Sequence, residues 1–189
     1  MADAGMVAGE TVEFLIFGDY MACEIFDASP RSEGVAYLCR PDDYLSSIVA
    51  KLEYAVAQNR PQQVVVFAGN QDAIMGMQAK EYDLHISLIV QTIQTLGTSL
   101  IIFAPLPCGD RETEQRLGAF RRILQKYATA KRVQVIDLYG IAAEELWHCD
   151  GERNSKRDFL DRYYADDVHL NNAGKAKMSQ IIYEYFWGV

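Results

Sequence analysis

Residues 63–72 read QVVVFAGNQD, and this stretch decides the fold. Three consecutive valines and a phenylalanine make a short apolar run of β-formers, ended by Gly69. A half-exposed strand alternates apolar and polar residues. A run without alternation fits a strand buried on both faces of a sheet. Working outward, the same kind of run recurs at residues 12–17 (VEFLIF), 35–39 (VAYLC), 100–107 (LIIFAPLP) and 133–138 (VQVIDL). Between these runs the period becomes helical. Leu45, Ile48, Val49, Leu52 and Val56 fall on one helix face, with Asp42 or Asp43 as the expected N-cap. Further helices are predicted over 80–96, stopped by Gly97, over 111–128, and from near Asn171. The last is expected to bury Ile181, Ile182, Tyr185 and Phe186, while residues 148–163 read as a long loop.

Apolar strands alternating with helices predict an α/β fold. Taken together with the three motifs quoted below, the expectation is a three-layer α/β/α sandwich on a five-stranded parallel sheet, flavodoxin-like with a 2-1-3-4-5 strand order. In such sheets the ligand crevice lies outside the carboxyl ends of the strands. Functional residues are therefore expected just after Phe17, Cys39, Ala68 and Phe103, and in the loop before the last helix.

Composition narrows the reading. The 189 residues predict one domain spanning 1–189, with 1–11 flexible. Eighteen basic against 26 acidic residues give a net charge of −8, which disfavours nucleic-acid or membrane binding by the surface as a whole. No apolar run approaches the roughly 18 residues of a bilayer span, and no secretory leader is evident. Cys23, Cys39, Cys108 and Cys149 lie far apart with no CxxC pair, which reads as reduced thiols in a cytoplasmic protein. No metal and no cofactor is expected. His85 on the 80–96 helix, the adjacent His148 and Cys149, and the IMGM run at 74–77 read as packing or surface groups.

Three of the expected places carry motifs. Phe17-Gly18-Asp19-Tyr20 follows the first strand, and Ala68-Gly69-Asn70-Gln71-Asp72 follows the third. Asp166-Asp167-Val168-His169-Leu170-Asn171, then Ala173-Gly174, precedes the last helix. In order and spacing this resembles the SGNH (GDSL) hydrolase superfamily, with its GDS, GxND and DxxH blocks, from about residue 12 to 187. The DxxHLNxxG segment is the most specific piece.

The resemblance implies a chemistry. A Ser after Gly-Asp attacks, the His of DxxH takes its proton, and the Asp orients the imidazole. A Gly N–H and the Asn of GxND complete an oxyanion hole with the Ser N–H. Carried over residue by residue, the nucleophile position is Tyr20. Asp42 stands where the oxyanion Gly belongs, and Gln71 where the Asn belongs, unless the loop slips by one and presents Asn70. Asp166 and His169 are kept. A phenol with a reference pKa near 10 is a poor nucleophile, and an Asp beside the hole opposes the developing negative charge. The resemblance thus implies a catalytically inactive domain that binds or scaffolds a protein or RNA partner. The alternative is an active esterase of small esters with a non-standard site, using Cys39, Cys108 or Tyr20 with His169.

Charge is uneven along the chain. Residues 1–60 hold ten acids and four bases, whereas 111–132 hold seven bases and two acids. Arg111, Arg121, Arg122 and Lys126 on the 111–128 helix, with Arg153, Lys156, Arg157 and Arg162, predict a basic strip for RNA or an acidic protein. The aromatic tail at 183–187 is expected to pack on the sheet, with Phe186 and Trp187 as an alternative partner patch.

Overall fold

The five apolar runs are the five strands of one parallel sheet. β1 (Phe14–Gly18), β2 (Val35–Cys39), β3 (Gln63–Phe67), β4 (Ser99–Phe103) and β5 (Val133–Ile136) lie in the order β2-β1-β3-β4-β5. Phe14 is in register with Val35 on one side and Gln63 on the other, and Phe67 with Phe103. The computed structural model describes residues 11–27, 33–67, 69–130, 132–150 and 156–187, with backbone alone at 145–150 and 187. The expectations for residues 1–10, for Arg153 and for the side chains of His148, Cys149 and Trp187 therefore lie outside the described residues.

The helices are α1 (Tyr20–Asp27), α2 (Leu45–Asn59), α3 (Asn70–Ile74), α4 (Ala79–Leu96), α5 (Arg111–Tyr127), α6 (Leu138–Asp150), α7 (Lys156–Tyr163) and α8 (Asn172–Trp187). Successive strand residues point to opposite faces, and this divides the core in two. Leu15, Phe17, Val64 and Val66 pack against α2, α4 and α5, through side chains such as Ile48, Ile86 and Leu117. Phe14, Ile16, Val65 and Phe67 pack against α1, α6, α7 and α8, through Ile25, Ala142, Phe159 and Ile181. The valine run is thus buried from both sides.

Three expectations need correction. The N-cap of α2 is Tyr44, not Asp42 or Asp43. Ser47 Oγ accepts from the Tyr44 N–H at 3.0 Å and donates to Asp43, and the Leu45 N–H donates to Asp72 at 3.1 Å. A carboxylate from a distant segment has taken the capping role. Residues 148–163 are not one long loop, since α7 begins at Lys156 and buries Phe159 and Tyr163. Tyr185 is exposed, because Phe186 one position on meets the core instead, its ring 4.6 Å from that of Phe14. In the 74–77 run Met77 packs on the core, whereas Met75 is exposed.

Candidate active site

The strand order reverses direction at β1, so the loops after β1 and β3 flank a crevice at the carboxyl edge of the sheet. Asp19 joins them. Its carboxylate is buried, accepting from the Met21 N–H at 3.0 Å and, across the crevice, from the Gln71 N–H at 3.1 Å. Burial pushes its pKa up to about 7, against the lowering effect of those backbone donors and with the neighbouring Asp72 adding to the rise. Asp72, also buried, is pushed up to about 6 by the same cause.

Gly69 enters this loop with φ at 123°, and a Cβ there would sit 3.1 Å from the Tyr82 ring. Asn70 is locked. Its Nδ2 donates to the Leu106 carbonyl at 2.9 Å and its Oδ1 accepts the Leu106 N–H at 3.1 Å. Both ends of the amide therefore bond the loop after β4. Asp42 is exposed in the turn after β2, while its neighbour Asp43 is buried and paired with Lys51.

The loop before α8 brings in the remaining pair. Asp166 accepts from the N–H groups of Val168 (2.8 Å) and His169 (2.7 Å), which hold its carboxyl down at about 2. Its Oδ2 lies 2.8 Å from His169 Nδ1, so an ionised Asp166 favours the form of the ring that carries a proton on Nδ1. Both side chains are half exposed. Contacts on both sides fix the loop: the Leu170 N–H donates to Glu24 of α1 at 3.1 Å, and Asn171 Oδ1 accepts the Gly174 N–H at the start of α8. A Cβ on Gly174 would collide with the Tyr163 carbonyl oxygen, which is why the close approach of α7 and α8 needs glycine there.

Tyr20 opens α1 directly beside this pair. Its ring meets the His169 ring edge-on, with centroids 5.6 Å apart, and its hydroxyl donates to the Val168 carbonyl at 3.1 Å. Burial, reinforced by the charge of Asp19, pushes the phenol pKa well above its ordinary value, so it is not a phenolate at neutral pH. The thiols offer no better nucleophile. Cys39 donates to the Ile16 carbonyl and is pushed up by burial; Cys108 donates to the Asp110 carbonyl and is pushed up to about 11. The space between Asp19, Asn70, Phe103 and Leu106 is about 10 Å³, room for one water at most.

The basic residues do not form one strip. Arg121 pairs with Glu114 at 2.6 Å and donates to the Pro105 carbonyl, Lys126 reaches Asp83 at 3.6 Å, and Arg157 lies 3.9 Å from Asp161. Arg116 is bound to Glu112 and the Ala73 carbonyl. Arg111, Arg122 and Lys156 do come together, with Gln115, Gly118 and Glu114, around a groove of about 520 Å³. The last three residues were not singled out in the sequence; their spacing from Arg111 along one helix face was the available signal.

Among the described residues no group of three or more His, Cys, Asp or Glu is placed to hold a metal ion, and no helix is long and apolar enough to cross a membrane. Residues 41–177 match the profile of the GDSL-like lipase/acylhydrolase family. The chain belongs to that family. The matched span leaves out β1 and Tyr20 of this GDSL-like chain. No curated protein matches it in sequence. Among solved structures it is similar to a member of the lipolytic G-D-S-L family from Veillonella parvula, at 15% identity and a TM-score of 0.72, covering 95% of this chain and 100% of that one. A lipase/acylhydrolase from Enterococcus faecalis follows at 18% identity and 0.68, with 94% and 96% covered. A catalytic mutant of an acetylxylan esterase from Geobacillus stearothermophilus matches at 15% and 0.64, with 94% and 95% covered. At these identities the likeness is one of fold, and it agrees with the five-stranded parallel sheet flanked by helices.

Proposed function

We propose that this GDSL-like domain is catalytically inactive and serves as a binding or scaffolding module for a protein or RNA partner. The observation that carries the reading is Tyr20, whose buried, protonated phenol stands against His169 with its hydroxyl committed to a backbone carbonyl. In this reading Tyr20 occupies the nucleophile position and fills the space an acyl group needs. Gln71 replaces the oxyanion Asn and Asp42 the oxyanion Gly. Loss of one oxyanion donor alone typically lowers rates about 10²–10³-fold, and loss of a triad member costs several powers of ten.

The opposing reading, an acyl hydrolase of small esters, draws on the oriented Asp166–His169 pair. Hydrolysis of p-nitrophenyl acetate separates the two. The protein is expected to match a Tyr20→Phe, His169→Ala control; a rate clearly above the control and lost with His169 would establish the hydrolase. In the module reading the protein acts in the cytoplasm, where its cysteines stay reduced.

A further inference from the structure

The groove on α5 is built from one helix face. Arg111, Gln115, Gly118 and Arg122 succeed each other at helical spacing, and Lys156 at the start of α7 forms the opposite wall. The missing side chain at Gly118 leaves the floor open: a Cβ there would meet nothing nearer than Arg122 Nη1 at 3.7 Å. Glu114 organises the floor. It accepts from the Cys108 N–H at 3.0 Å, pairs with Arg121 at 2.6 Å and holds the Lys156 ammonium at 3.0 Å. Arg111 and Arg122 are exposed, and among the described residues neither has an ion-pair partner. Three cations over one carboxylate make a positive groove on a chain of net charge −8.

Spacing and chemistry say what it takes. Arg111 and Arg122 are eleven residues apart, about 16 Å along the helix axis, so no single phosphate bridges them. A strand that carries a phosphate at every nucleotide does. The lining is charged, amide or glycine, without the apolar pockets through which grooves select peptide side chains. Among the described residues it holds no aromatic ring on which a base would stack, so contacts fall on the backbone and carry no sequence preference. We infer that this groove binds the sugar-phosphate backbone of a single-stranded nucleic acid through Arg111, Arg122 and Lys156. The assignment rests on the module reading and names its partner and its surface.

Fluorescence anisotropy with a labelled oligouridylate of about 12 nucleotides tests it. Three phosphate contacts on a single strand give a salt slope of about −2, so raising salt from about 50 to about 200 mM weakens binding about 20-fold. Arg111→Glu with Arg122→Glu is expected to weaken binding at least about tenfold, while Arg60→Glu with Lys80→Glu, an equal charge change outside the groove, leaves it within about threefold. Should the Glu pair unfold in a thermal melt, the neutral Arg111→Gln, Arg122→Gln pair gives the same comparison. Absence of oligouridylate binding, equal loss in the control pair, or preferential capture of polyglutamate each overturns the assignment. Such results leave the module reading standing, because only ester hydrolysis above the control refutes that.

Discussion

The carboxyl of Asp19 predicts an unusual pH dependence of stability. It is buried and its pKa is raised from 3.8 to about 7. The folded protein therefore holds this proton up to about pH 7, whereas the unfolded chain releases it near 3.8. A raised pKa contributes stability that is full below the unfolded value and is lost as pH rises through the folded value. At about 1.4 kcal/mol per unit the whole shift is worth about 4 kcal/mol, of which about 3 is lost between pH 5 and pH 8. Asp72, raised to about 6, acts with the same sign and adds about 1 kcal/mol of loss over that window. Asp166, held at about 2, is ionised in both states throughout and adds nothing there. Urea unfolding followed by far-UV circular dichroism should thus show stability falling by about 4 kcal/mol from pH 5 to pH 8. Asp19→Asn removes the titrating group but turns an amide NH₂ toward either the Met21 or the Gln71 N–H. That variant should be about 1–3 kcal/mol less stable than the parent at pH 5 and close to it at pH 8. Stability that is flat or rising across the window, or an Asp19→Asn variant that keeps the full slope, would refute the argument.

Two further outcomes follow from the same loops. Asn70→Ala unties the buried N–H and carbonyl of Leu106 and should cost about 2–4 kcal/mol in urea unfolding, with faster amide exchange at Leu106; a cost below about 1 kcal/mol would mean water replaces the side chain. Gly69→Ala must hold φ at 123° with its methyl against the Tyr82 ring, costing about 2–3 kcal/mol and lowering the calorimetric melting temperature by about 5–10 °C; an unchanged melt would show that the loop relaxes without strain.

Much of the site was legible before folding was considered. Asp19, Gln71, Asp166 and His169 were marked by their places after strands and before the last helix, and the fold brings those segments to one edge. The slipped alternative for the oxyanion amide was not decidable from order alone. Asn70 is tied through both ends of its amide to Leu106, thirty-six residues away. The expected Asp caps of α2 failed for a related reason. Asp43 is consumed by Lys51 and Ser47, and the helix end finds Asp72 instead. Local propensity ranks the candidates for a cap, but it cannot see a buried carboxylate delivered by another loop.

By itself the sequence determined the sheet and its layering. Unbroken apolar runs can only be satisfied by burial on both faces, and the helical periods between them supply the covering layers. Tertiary structure alone decided which charges are free. Ion pairs form across the fold: Glu114 gathers Arg121 and Lys156, and Asp83 meets Lys126. A count of bases along the chain therefore overstates the positive surface; among the described residues Arg111 and Arg122, with Lys156 fixed opposite, line a positive groove. The physical reason is range. Hydrophobic period is a property of neighbours in sequence, whereas charge neutralisation acts over a few ångströms in space, between groups the chain places far apart.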